Sequence, residues 1–261
     1  MTPPRRCTLG PASISRRRPF GLSLAFLALA AVLPPRTSAQ EPPDPPLYLG
    51  ETLRYTMTIM GVTGGELVLS AKRAQLEGQP TYKFEMSALS NEFLSKIFLV
   101  RDYMASWVDP GPFRSLRFEM HTVEGKRVRD ELVEFDYAEA VAKRNGKQIA
   151  LDGPTLDSLS SVYYIRTLDL SSGKPIEIDV VSRKRFSLRV EVQGRETVAT
   201  PVGTFRTIRI EPKIVRGAGL IGKGQNLVLW VTDDENKVPV QLRSKLKVGT
   251  LVGKLKAIEK Q

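Results

Sequence analysis

Cysteine and histidine are nearly missing from this 261-residue chain: Cys7 and His121 are the sole examples of each. Cys7 precedes an apolar run close to the N-terminus, so the rest of the chain can form no disulfide, thiolate nucleophile or cysteine metal site. One histidine excludes a multi-histidine zinc centre. Long apolar runs are missing too. The longest, FGLSLAFLALAAVL from Phe20 to Leu33, falls short of the roughly 20 residues a spanning helix needs. Acids are absent from residues 1–39, where Arg5, Arg6, Arg16, Arg17 and Arg18 stand before that run and Thr37-Ser38-Ala39 after it.

That order of basic, apolar and small residues predicts a secretory signal peptide over residues 1–39, cleaved after Ala39. A lipoprotein needs its cysteine just after the apolar run, so no lipidation is expected. The leader contains six arginines, and without it the net charge falls from +11 to +5. Nucleic acid is therefore not an expected partner. The remaining charge is uneven: residues 206–261 hold 12 Lys and Arg against 5 acids. Residues 40–48, containing EPPDPP, read as a proline-rich linker, and residues 49–261 as one domain. The expected location is the periplasm.

What is abundant is alternation. Leu53, Tyr55, Met57 and Ile59 interleave with Arg54, Thr56 and Thr58, and Tyr82, Phe84, Met86 and Ala88 repeat the rhythm. DYMASWVD, SLRFEMHTV, KRVRDELVEFD, IEIDVVS, RFSLRVEVQ, ETVAT, FRTIRIEPKI, NLVLWVT, KVPVQLRSKLKV and GTLVGKLKAI continue it. Period-two patterning between turn residues predicts a mainly β fold, an antiparallel flattened or incomplete β-barrel of about twelve strands. Two stretches break the rhythm. NEFLSKIF, near 91–98, predicts a short helix capped by Asn91 with Phe93, Leu94, Ile97 and Phe98 inward. TLDSLSSVYYIRTLDL predicts an amphipathic helix over about 155–169 after Pro154. Leu227, Leu229 and Val231 alternate with Val228 and Trp230, so that strand is expected to be covered on both faces.

The chemical-looking motifs resolve mostly into structure. Asp233-Asp234-Glu235-Asn236 lacks the alternating ligands, the glycine and the closing Glu of a calcium loop, and reads as a hairpin turn. GAGLIG, Gly217 to Gly222, runs into a strand rather than a helix, so it is a loop and not a dinucleotide site. No cofactor is expected. His121 lacks a marked nucleophile. Asp109, Glu119, Glu124, Asp130, Glu134 and Asp136 include the carboxylates a glycosidase would use, with Trp107 as a sugar platform, but most fall in turns or beside Arg127 and Arg129, so cross-strand ion pairing is the preferred reading.

SWVDPGPFRSLRFEMHTVEGKRVRDELVEFDY, LDSLSSVYYIRTLDLSSGKP, TPVGTFRTIRIEP and LWVTDDENKVPVQLRSKLKVGTLVGKL, in this order, resemble the bacterial exported domain-of-unknown-function family numbered 3108. That family implies a location and a fold but no catalytic residues. The spacing of Trp230, Asp233 and Pro239 is also similar to lipoprotein carriers, open β-barrels with an apolar cavity and a helical lid. Together these readings predict a non-enzymatic periplasmic binding protein for an apolar or lipid-linked envelope ligand. Tyr103, Trp107, Phe118, Tyr163, Tyr164 and Trp230 are its candidate cavity residues. Arg243, Lys245, Lys247, Lys254 and Lys256 are candidate contacts to an anionic surface or envelope polymer, so peripheral membrane contact is expected. The alternatives are an assembly factor for surface polysaccharide or the outer membrane, binding an envelope protein partner, and a carbohydrate-active hydrolase.

Overall fold

A computed structural model describes residues 48–217, 227–246 and 249–260, which lie within one compact unit. The leader, most of the linker, most of GAGLIG and Lys247 lie outside the described residues. Fourteen antiparallel strands form one sheet: β1 (Glu51–Ile59), β2 (Val62–Leu76), β3 (Gln79–Ser90), β4 (Val100–Asp109), β5 (Arg114–Glu124), β6 (Arg127–Asp136), β7 (Val141–Arg144), β8 (Lys147–Ala150), β9 (Ile176–Val181), β10 (Arg185–Thr200), β11 (Gly203–Gly217), β12 (Leu227–Thr232), β13 (Pro239–Leu246) and β14 (Gly249–Lys260). Each strand pairs with its sequence neighbours, and β14 pairs with β1. The one break in the meander falls between β8 and β9, so the barrel stays open there.

The strand count exceeds the expected twelve for a definite reason. RFSLRVEVQ and ETVAT form the single bulged strand β10, whereas AKRNGKQIA folds into the β7–β8 hairpin. Its Asn145-Gly146 tip has φ of 45° and 74°, the left-handed pair that a tight primed turn demands.

The connector from β8 to β9 spans the break. Leu156 bridges β9 in parallel: its N–H donates to Asp179 O at 3.0 Å and its carbonyl accepts from Val181 N at 2.7 Å. This covers an edge strand that would otherwise present unpaired backbone. Because Leu156 is used in this way and the Thr155 carbonyl accepts from Ser115 N of β5, helix α2 spans Ser160–Ile165, shorter than the periodicity predicts. Asp157 starts that turn, its Oδ1 accepting from the N–H groups of Leu159 (2.8 Å) and Ser160 (2.9 Å).

α2 packs on the inner face of the sheet. Tyr163 lies flat on Phe84 of β3, with centroids 4.0 Å apart and planes at 8°. Leu159 and Tyr163 join a large cluster drawn from β1–β7 together with residues of β9, β10 and β12–β14, and Leu156 and Ile165 join a second cluster built by β9–β12. Burying such aromatics contributes the largest apolar areas in a core.

β12 is covered on both faces, as its residues predict. One face joins the second cluster. The other is roofed by the outer half of the β10–β11 hairpin, which a bulge at Val192/Gly194 redirects. Val198 and Phe205 share a core cluster with Trp230 and Val228. Trp230 Nε1 donates to Glu196, Arg195 pairs with Asp233 at 3.1 Å, and Lys254 Nζ donates to Ala199 O at 3.0 Å.

Helix α1 (Glu92–Ser95) is one turn, capped by Asn91 Oδ1 accepting from Leu94 N at 2.8 Å. The expectation that its apolar residues all turn inward is corrected. Leu94 is half-buried, but Phe93, Ile97 and Phe98 are 62%, 72% and 48% exposed. A single turn perched on the strand ends has no second layer against which to bury them.

Candidate ligand-binding site

The inner face has two zones. Where Ser106 and Ser115 face α2, it is filled: Tyr55, Phe84, Phe118 and Tyr163 are almost fully buried. Asp157 is buried there, accepting from Ser106 Oγ at 2.5 Å and Ser115 Oγ at 2.6 Å. Its pKa is raised because burial penalises the carboxylate more than these hydroxyls stabilise it.

One step toward the α1 end the packing loosens. Met86, Met104 and Met120 stand opposite one another across β3, β4 and β5. Met120 is buried, but Met86, Met104, Ala88, Met57 and Leu242 are half-buried on the inward side. Gly253 adds no side chain beneath them; a Cβ there would come within 2.7 Å of Met57 Sδ and 2.9 Å of Leu242 Cγ. Four of the six methionines thus lie on the inward side of the sheet, Met120 buried and the other three half-buried. Methionine is unbranched and polarisable, and suits surfaces that mould to varied apolar ligands. Asp102 sits at the lip, opposite Ala88 and Thr122. Burial, then Glu124, raises its carboxyl to about 6.

A second hollow lies on the outer face beside Trp230. Arg209, Glu211, Val228, Arg243, Lys245 and Thr250 line a space of about 310 Å³. Two guanidiniums lie over the Trp230 ring, Arg243 at 5.2 Å and Arg209 at 5.9 Å. The buried Arg209 Nε has no hydrogen-bond partner among the described residues.

The six candidate cavity residues are not all brought together: Phe118, Tyr163 and Trp230 belong to one packed core cluster, and Tyr103, Trp107 and Tyr164 lie outside it. Phe118 and Tyr163 are core, and Tyr164 packs half-buried against Phe113, 5.3 Å away. Trp230 lies under the β10–β11 hairpin. Tyr103 and Trp107 alternate with inward residues of β4 and so face outward. Lys83 Nζ lies 4.7 Å over Trp107. Tyr103 donates to Glu85, whose burial would raise its pKa, yet Lys72, Lys83 and Tyr103 hold it at about 2. The basic set also divides. Arg243 and Lys245 line the outer hollow, whereas Lys254 anchors the hairpin and Lys256 pairs with Glu66 at 3.1 Å. Arg209 and the methionine ladder escaped the sequence reading. The ladder's signal was there, one methionine at the same inward phase in each of three successive strands.

The catalytic-looking groups are paired. Asp109 bonds Arg114, Glu119 and Glu134 flank Arg117, Glu124 bonds Arg129, and Asp136 bonds Lys143. His121 Nδ1 and Asp130 Oδ1 are 2.6 Å apart on the surface. Asp234 accepts from Thr232 Oγ1 and from the N–H groups of Asn236 and Lys237, so the acidic tetrad is a self-bonded turn. Among the described residues no cluster of three metal-ligating side chains occurs, and no helix is long and apolar enough to cross a membrane.

The fold has counterparts among solved structures. A β-barrel-like protein of the domain of unknown function DUF1849 from Brucella abortus aligns over 82% of this chain and 98% of its own, with a TM-score of 0.55 at 10% identity. A protein from Bacteroides fragilis described as exported, with a YmcC-like fold, aligns over 82% of this chain and 98% of its own at 13% identity, but its TM-score of 0.32 carries no argument. No curated protein matches the chain. The family model for a protein of unknown function, DUF3108, matches residues 54–256, and the chain therefore belongs to that family.

Proposed function

We propose that this protein is a non-enzymatic binding protein of the bacterial periplasm that holds an apolar or lipid-linked ligand in the methionine-lined end of its open barrel. The observation that carries this reading is the half-buried ladder Met86–Met104, continued by Met57, Ala88 and Leu242. Inward side chains of a closed core would be fully buried; these keep apolar surface available on a concave wall. The export-type leader supports the location.

The test combines native mass spectrometry of protein purified from the envelope with titration of the fluorescent fatty acid cis-parinaric acid. The expected result is a co-purifying apolar species and saturable fluorescence enhancement, lost in Met86→Glu/Met104→Glu. Absence of both signals from the wild type would reject the reading.

A further inference from the structure

The α1 end of the barrel carries an apolar rim. Met60 (75% exposed), Val62 (56%), Phe93 (62%), Ile97 (72%), Phe98 (48%) and Val128 (58%) all lie on the loops and strand ends there. These segments are fastened to one another. Asn91 N donates to Gly64 O and Asn91 Nδ2 to Thr63 O, both at 2.8 Å, tying the α1 loop to the start of β2. Gly125 N donates to Leu99 O at 2.7 Å, tying the same loop to the β5–β6 turn. The rim is thus a positioned surface. Large exposed apolar groups gathered in this way mark an interaction site.

Charge identifies the partner. Lys96, Arg101, Lys126 and Arg127 are exposed on the same segments, and none makes an ion pair among the described residues. Among the described residues there, Glu92 and Asp102 are the acids without an ion-pair partner, since Glu124 bonds Arg129 at 3.1 Å, and Asp102 faces inward with its carboxyl raised to about 6, so the outer rim is net basic. Apolar side chains at protruding tips, flanked by unpaired cations, match a lipid leaflet with anionic headgroups.

We propose that the rim of Met60, Val62, Phe93, Ile97, Phe98 and Val128 docks the barrel onto an anionic bilayer surface, with its tips entering the headgroup–acyl boundary. The inference stands on the rim alone. It also places the methionine-lined opening toward the acyl chains, because Met57, Met86 and Met104 line the same end of the sheet.

The test is co-sedimentation of the whole chain with phosphatidylcholine vesicles, with and without phosphatidylglycerol. Variants compared in the same chain share any contribution from residues 1–47. The wild type should bind the anionic vesicles more tightly. Phe93→Ser/Ile97→Ser should weaken binding by roughly tenfold or more, since two large apolar tips no longer enter the bilayer. Lys96→Glu/Lys126→Glu/Arg127→Glu should remove the preference for phosphatidylglycerol. These positions are exposed, so the variants retain the fold, which circular dichroism checks. Wild type that stays in the supernatant would overturn the proposal, as would a serine variant that binds equally well. Wild type that dimerises through this rim in light scattering, without vesicle binding, would assign it to a second copy of the chain instead. Fatty-acid uptake by the serine variant separates this outcome from failure of the methionine-lined site.

Discussion

Arg166 and Glu51 form a buried two-armed ion pair, with contacts of 2.7 and 3.2 Å between residues 115 positions apart. Their side chains are 1% and 3% exposed. Arg166 also donates through Nε to Asn236 O at 3.0 Å and lies over the Tyr48 ring. One guanidinium therefore joins α2, β1 and the β12–β13 turn. Removing one partner leaves the other charge buried and unpaired, which costs about 3–5 kcal/mol. Glu51→Leu should lower urea stability by that order, and Glu51→Leu/Arg166→Met should recover much of the loss. A double variant as unstable as the single one would show that the pair is required as a pair.

Asp157 fastens the other end of the connector. Its carboxylate takes two hydroxyls and two backbone N–H groups, and its own N–H donates to Ser115 Oγ at 2.8 Å and Ser160 Oγ at 2.9 Å. Asp157→Ala strands Ser106, Ser115 and the first turn of α2 in a dry site, a loss on the order of 3 kcal/mol. Equilibrium unfolding would reveal it. Hydrogen exchange should rise first in residues 155–166.

Sequence pattern and structure part company at identifiable places. Alternation reports which side chains share a face, and it locates the strands because burial on one face forces period two. It does not report which face is concave, so Tyr103 and Trp107 could be grouped with Phe118 although they point to opposite sides of the sheet. Nor does it report curvature. The bulge at Val192/Gly194 turns part of β10 into a roof over Trp230, a tertiary event with no local spacing. The short α2 was obscured because Leu156 satisfies both a helical period and a bridge to β9. The Asn-Gly of the β7–β8 hairpin was the exception, a local turn signal that could have been read. The rim was misassigned because apolar residues at helical spacing imply a buried face only when something lies beneath them.

The roof over Trp230 yields its own test. Glu196 accepts the indole N–H, and its removal leaves a buried donor unpaired at about 1–3 kcal/mol. Glu196→Ala should loosen the β10–β11 hairpin. In a Trp107→Phe background, Trp230 emission should shift to longer wavelength, and trypsin should cut faster at Arg195 and Arg206. Unchanged emission would show that Val198 and Phe205 hold the roof without the polar anchor.

Asp102 gives the lip of the opening a pH dependence. Its folded-state carboxyl is raised to about 6, first by burial and then by Glu124. The folded protein therefore holds this proton more tightly than the unfolded chain. The resulting stability is complete below the unfolded carboxyl value of about 4 and is lost as pH rises through about 6. Asp102→Asn has no such loss. Its melting temperature should improve on the wild type more at about pH 8 than at about pH 4. A gap that is constant with pH would mean the carboxyl is not raised.

The methionine ladder separates packing from binding within a single row. Met120 is 6% exposed, and truncating a buried methionine to alanine costs about 2–5 kcal/mol. Met86 and Met104 are half-buried, so alanine there removes fewer contacts and should cost clearly less than Met120→Ala in the same urea titration. Fatty-acid uptake should show the reverse order. Met86→Ala/Met104→Ala removes the exposed wall and should weaken cis-parinaric acid binding several-fold while the fold persists. Leucine at both positions keeps volume and apolarity and should restore most of the binding, because such swaps are tolerated in packed sites. Equal stability losses at all three positions, with uptake unaffected, would make the row ordinary core and move the ligand elsewhere on the barrel.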